Sequence, residues 1–266
     1  RVSLVALAGL RLVALLHPSM ALWGLNDGRF AAPWGAGLLW ALAVLALIPG
    51  LGRRLDHALE PLAASLGTGA PGSGLLVAAV ALLVFLLPDR IWFVGDFLLR
   101  EGAVREAGDF RRMFPQAQPL DILLHYRIPH ALLARGLDTT LTARLIGALE
   151  AGVLALLARR FVRGYGLPGP AAFAVGSAVL AGGYLALFAG YAKPTMEVCV
   201  LSVALGVFGV EMVREGRGFL AASAAFIAAL AFHRSALSLL PGLALFWLLA
   251  MRRHGVAPGR RTEVAL

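Results

Sequence analysis

The chain has 266 residues, of which 59% are hydrophobic and only 15% charged. That balance argues against an ordinary soluble domain and makes a polytopic membrane protein the natural class. The formal net charge of +9 does not imply nucleic acid, because the arginines stand in short groups between apolar runs rather than in one basic stripe; a bilayer with anionic lipids is the expected partner.

Taken in chain order, eight mostly apolar segments approach the roughly 20 residues that a membrane-crossing helix needs. They centre on 3–24, 33–50, 73–88, 139–158, 170–189, 194–213, 217–232 and 235–250. Helices are required because the runs are continuous and rich in Ala and Leu, without the alternation of a membrane barrel. The expected fold class is therefore all-α, a transmembrane bundle of about eight spans. Small residues at close spacing, as in "GSAVLAGG", predict helices whose backbones approach closely. The single cysteine, Cys199, lies inside an apolar segment, so no internal disulfide can form.

Arg53 and Arg54, then Arg159, Arg160 and Arg163, then Arg214 and Arg217, then Arg252 and Arg253 fall on alternate connections. The positive-inside rule makes that side cytoplasmic. The organisation predicted is two spans with a cytoplasmic linker over 1–72, a core over 73–250 with a long outer loop at 89–138, and a basic cytoplasmic tail over 251–266. Within the loop, 96–107 predicts a short interfacial helix. "PLDILLHYRIPHALLARG" places Leu120, Leu123, Leu124 and Ile128 at helical spacing, with Pro129 kinking or ending the helix.

Polar residues that packing explains poorly gather on the predicted outer side: Asp96, Asp109, Asp121, His125, Tyr191, Lys193, Glu197, His233 and Arg234. Ionisable groups at membrane depth are costly, so each is a candidate for function. Asp96 can take a proton from an acceptor hydroxyl or hold a metal beside a phosphate; it can also simply pair with Arg100 one helical turn on, which spacing slightly favours. Asp109, beside Arg111 and Arg112, reads as a solvated charge cluster. Asp121 and His125 share a helix face, as a base with its orienting carboxylate, as two metal ligands, or as an ordinary hydrogen-bonded pair, the reading that spacing favours. Pro194 opens a helix whose first turn holds Glu197, where the helix dipole suits an acid. Lys193 and Glu197 either pair with each other or serve a phosphate and a sugar hydroxyl or cation. His233 and Arg234 stand where the last two spans meet, and an arginine there suits a lipid phosphate. Arg144 and Glu150 lie inside a span, six apart, so their partners belong to other helices.

In order and spacing, "VGDFLLREG", "QPLDILLHYRIPHAL", "LFAGYAKPTMEV" and "AFHRSALSLLP" resemble bacterial members of the GT-C superfamily of integral membrane glycosyltransferases, over about residues 73–250. The resemblance implies transfer of a sugar from a polyprenyl-phosphate-linked donor to an acceptor glycan, lipid or protein, with inversion, on the extracytoplasmic face of a bacterial plasma membrane. It implies Asp96 as the base or acceptor-orienting carboxylate, and Asp121 and His125, with Asp109 near them, on the acceptor side. It brings Tyr191, Lys193, Glu197, His233 and Arg234 to the donor's phosphate or sugar, with a divalent cation, magnesium or manganese, as the candidate cofactor. The superfamily often carries an acid soon after the tyrosine of this "GY" segment; here Lys193 intervenes and the nearest acid is Glu197. A transporter or lipid flippase, in which Lys193, Glu197, Arg144 and Glu150 line a translocation path at mid-membrane, is the alternative, and a structural membrane subunit is a third.

Overall fold

The structure is a computed structural model, and it describes residues 2–17, 33–46, 48, 50–54, 57–58, 60–61, 70–86, 96–106, 110–166, 169–180 and 194–255. Among these residues every regular element is helical and no strand occurs. The chain divides into two compact units, Arg1–Ala64 and Ser65–Leu266. In the first, α1 (Val2–Leu16) and α2 (Pro33–Ala46) are tied by the Trp40 indole, which donates to the Ala8 carbonyl at 2.9 Å.

The second unit holds α3 (Ala70–Leu86), α4 (Asp96–Arg105), α5 (Phe110–Met113), α6 (Pro119–Ile122), a π turn at Leu123–Arg127 and α7 (Ile128–Leu133). The long α8 (Thr139–Tyr165) follows, then α9 (Gly169–Leu180), α10 (Thr195–Glu215) and α11 (Phe219–Phe232). A 3-10 turn at Arg234–Leu239 leads into α12 (Leu240–His254).

Three helices are long and apolar enough to cross a membrane: Thr139–Tyr165, Thr195–Glu215 and the continuous Arg234–His254. At 1.5 Å per residue α8 reaches about 40 Å and α10 about 31 Å, enough for a hydrocarbon core of about 30 Å. Of the eight spans expected, three reach that length among the described residues, and a shorter apolar helix occupies part of each of the others. α11 shows the reason best, because described residues bound it at both ends. Gly218 opens it in the left-handed region at φ 99° and His233 closes it in extended backbone, which leaves 14 helical residues. For α1, α2, α3 and α9 most of the rest of the predicted span lies outside the described residues.

α8, α10 and α12 run in the same direction. Arg160 on α8 forks onto Glu211 of α10, at 2.5 Å from Nε to Oε1 and 2.9 Å from Nη2 to Oε2. Arg214 donates to the Gly164 carbonyl, and the His254 ring meets the Val213 carbonyl at 3.0 Å. The basic ends of the three helices therefore lie together, as the loop pattern of arginines required. Leu154, Leu157, Val200, Ala204 and Val207 form the apolar seam between α8 and α10. Close approach occurs where glycine permits it: a Cβ on Gly209 would overlap the Phe246 ring of α12, and one on Gly152 would stand 3.2 Å from Val77 of α3. Outward faces stay apolar, with Leu145, Leu149, Val153 and Leu156 of α8 all exposed. In water such a stripe would be costly; against lipid it is not.

The segment before α8 has its own small core of Ala103, Phe110, Phe114 and Ile122. Pro129 neither ends nor breaks the helix it enters. It has no N–H for the carbonyl one turn back, and the chain widens into the π turn, with the Ile128 N–H bonding the Leu123 carbonyl five residues earlier.

This segment is fastened to α8 by a charged junction. Asp138 caps α8 through the Thr140 N–H at 2.9 Å. It also accepts from Arg105 at 2.9 Å, and Arg105 binds Glu101 at 2.8 Å. Glu101 in turn accepts from Thr139 at 2.7 Å and Thr140 at 3.0 Å. Burial works to raise the Asp138 pKa, but Arg105 and the N–H groups of Thr140 and Leu141 outweigh it and hold the carboxyl below its ordinary value. A carboxyl lowered on folding contributes stability above its unfolded pKa and loses it as pH falls through the folded one. Asp138→Ala is expected to cost about 1 kcal/mol at neutral pH. That difference should shrink as thermal unfolding is followed to below about pH 4; a gap that stays constant with pH would assign the cap no ionic part.

Candidate functional site

The buried chemistry starts on α4. Arg100, 5% exposed, projects between two aromatic rings, its guanidinium carbon 4.8 Å from the Phe114 centroid and 5.3 Å from that of Phe110. It forks onto Asp121 with Nη1 to Oδ1 at 2.7 Å and Nη2 to Oδ2 at 3.1 Å. The same Asp121 Oδ1 meets His125 Nδ1 at 2.9 Å, one turn along. The far side of the ring, Nε2, lies 2.8 Å from Oε1 of Glu197 in the first turn of α10. At that end the contact is an ion pair by distance without hydrogen-bond alignment, and both Glu197 oxygens are buried with no hydrogen-bond partner. Glu150, on α8, brings a third ligating atom, and one atom from each of His125, Glu150 and Glu197 fits within a 4.8 Å spread.

The electrostatics follow from this order. Burial works to raise the Asp121 pKa, but His125 and Arg100 outweigh it and hold the carboxyl below its ordinary value. Burial works against a charged imidazole at His125, yet Asp121 and Glu197 on its two sides hold its pKa above the usual. Charges in the sequence Arg, Asp, His, Glu therefore alternate along the chain, which is how buried ions remain tolerable.

Beside the two glutamates lies a cavity of about 250 Å³. Its walls are Leu124, Ile146, Leu149, Val153, Val200, Leu201 and Phe232, with Glu150 and Glu197 as the ionisable lining. Apolar walls around a few convergent polar groups are the usual form of a ligand site.

The predicted site residues divide into three groups. Asp121, His125 and Glu197 come together, and Asp121 with His125 is the hydrogen-bonded pair that spacing favoured, extended at both ends. Arg100 binds Asp121, and α4 begins with Asp96 four residues before it. His233 and Arg234 form a second group at the junction of α11 and the 3-10 turn, next in chain to Phe232 of the cavity wall. There the His233 Nδ1 is used locally, accepting from the Ser235 N–H at 3.2 Å and meeting its hydroxyl at 2.7 Å, while Arg234 is exposed. Asp109, Tyr191 and Lys193 lie outside the described residues, as does the side chain of Asp96. Pro194 precedes the first helical residue, Thr195, rather than being it.

Two members of the cluster were not placed in it from the sequence. Arg100 reads there as a partner for Asp96. Glu150 reads as an intramembrane acid without a role in transfer, named only for the path of the transporter alternative, and its position inside a span was the signal available. Arg144, six residues before it, turns elsewhere, donating to the Phe85 carbonyl and standing over the Phe85 ring at 4.6 Å, with its Nε buried and unpartnered.

No protein-family model, curated protein or solved structure matches this chain. Fold and site together define an all-helical protein with at least three helices of membrane-crossing length among the described residues. Its distinguishing feature is a buried Arg–Asp–His–Glu relay that ends at an apolar-walled cavity between two of them.

Proposed function

We propose that this protein is a membrane-embedded glycosyltransferase that moves a sugar from a polyprenyl-phosphate-linked donor to an acceptor at the extracytoplasmic surface. The observation that supports it is the placement of buried polar groups at the edge of an apolar cavity, where α8 and α10 meet the segment 96–133. A lipid-linked donor has the same two-part character. Its isoprenoid tail favours the apolar wall and the surrounding lipid, while its phosphate and sugar need charged and hydrogen-bonding partners at headgroup depth. Arg234, exposed beside the cavity wall, and Lys193 supply positive charge to the phosphate. Asp96 takes the proton of the acceptor hydroxyl as that oxygen bonds to the anomeric carbon, and the bond from that carbon to the lipid phosphate breaks. The phosphate leaves with the bonding electrons, on the isoprenoid.

A second reading draws on Glu150 and Glu197, which face one another across two spans as the acids of an ion or proton path do. One experiment separates the two. Purified full-length protein in liposomes is given polyprenyl-phosphate sugar labelled in the sugar. Label passing to a glycan, lipid or protein acceptor supports the transferase. Gradient-driven uptake of ions or solute with no movement of label rejects it in favour of transport.

A further inference from the structure

We propose that His125 Nε2, Glu150 and Glu197 bind one divalent transition-metal ion, of the zinc and manganese class, at the edge of the cavity. The donor atoms already converge, one from each side chain within 4.8 Å of the others. A zinc ion with ligands at about 2.0–2.1 Å sets its donors roughly 3.3 Å apart, so the widest pair would close by up to about 1.5 Å while His125 Nε2 and Glu197 Oε1, now 2.8 Å apart, would open slightly. Apart from the contact of Glu197 with the His125 ring, these carboxylate oxygens have little else to hold. Glu197 is 95% buried, being 5% exposed, and neither of its oxygens has a hydrogen bond; Oε1 of Glu150 is buried and unpartnered too. Two carboxylates this close in an apolar wall are tolerable only when they share a proton or a cation, and the imidazole touches only one edge of Glu197.

The histidine is held as a metal ligand is held. Asp121 engages Nδ1 at 2.9 Å and is itself fixed by the Arg100 fork. That carboxylate-to-histidine contact sets the ring orientation and leaves Nε2 toward the glutamates, the arrangement that supports imidazole ligands in metal sites. Three protein ligands beside a cavity leave a coordination position open to a ligand oxygen. One imidazole with two carboxylates suits zinc or manganese. It suits calcium poorly, which takes six to eight oxygens, and magnesium poorly, which prefers oxygen and retains its waters.

The ion adds to the transferase reading at the same site, and only its role, neutralising the donor phosphate, rests on that reading. The site itself is tested without turnover. Full-length protein in detergent, stripped with a chelator, is dialysed against ZnCl2 or MnCl2 and the bound metal counted by elemental analysis. About one ion per chain is expected, undiminished by excess Mg2+ or Ca2+. Glu197→Gln and Glu150→Gln should each weaken binding by at least about tenfold, the scale on which even residues behind the ligands act. Glu215→Gln, an acid of the same helix paired with Arg217, should leave it unchanged. Should Glu197→Gln fail to fold, the half-buried Glu150 carries the test. A folded wild-type chain that takes up no metal overturns the proposal, as does undiminished affinity in both variants. Metal bound without sugar transfer would instead refute the transferase reading and leave the site standing.

Discussion

Replacing Asp121 with alanine is expected to cost about 3–5 kcal/mol of folding stability, the range for removing one partner of a buried ion pair. The carboxylate is 1% exposed and answers two cations at once, Arg100 through both oxygens and His125 through Oδ1. Without it the Arg100 guanidinium stays buried with only the Phe110 and Phe114 ring faces beside it, and ring faces return about 0.5–2 kcal/mol at most. The loss corresponds to a fall of about 6–20 °C in the thermal midpoint, at about 2–4 °C for each kcal/mol in a domain of this size. The double substitution Arg100→Met with Asp121→Leu should recover most of it, because a buried pair exchanged for packed apolar side chains is often neutral or stabilising. A single-variant loss below about 1 kcal/mol would mean that water reaches Arg100 and that the relay is not a buried one. The double variant separates structure from chemistry as well. It should fold yet leave His125 without the carboxylate that orients it.

Asp96→Asn is expected to lower sugar transfer from a polyprenyl-phosphate donor by about 10²- to 10⁴-fold, the usual contribution of a general base. The change preserves size while removing the negative charge and with it the capacity to accept a proton. Asp96 opens α4, a helix anchored through Arg100 to Asp121 and through Glu101 to Thr139 and Thr140 at the start of α8. It therefore stands on a rigid element rather than a free loop, as positioned acid-base groups require. Folding should persist, read from an unchanged thermal midpoint. Turnover equal to wild type would remove Asp96 from the mechanism and move attention to the carboxylates of the buried cluster.

The helical class was legible in the residues themselves, because continuous Ala- and Leu-rich runs leave a membrane chain no other way to satisfy its backbone. The grouping of Arg160, Arg214 and Arg252 on alternate connections likewise foretold that α8, α10 and α12 end together. The number of spans was not legible to the same degree. Hydropathy integrates over a window, whereas the end of α11 is set by two backbone conformations, the left-handed Gly218 and the extended His233. Nor did hydropathy show that the chain would pass through Pro129 on a π turn. Local spacing was enough for Asp121 with His125, since residues four apart on a helix meet whatever surrounds them.

Spacing says nothing about residues that meet only through packing. Arg100 reaches Asp121 from 21 positions away, and its local alternative, Asp96 four residues before it, is what the sequence suggests first. Glu150 and Glu197 are brought to one imidazole by the seam of Leu154, Leu157, Val200 and Ala204 that locks α8 against α10. By itself, then, the sequence determined the helical class, the apolar surface and one pair of the site. The tertiary structure decided that pair's partners, because the energy that places a buried charge comes from groups remote in sequence that desolvate it together.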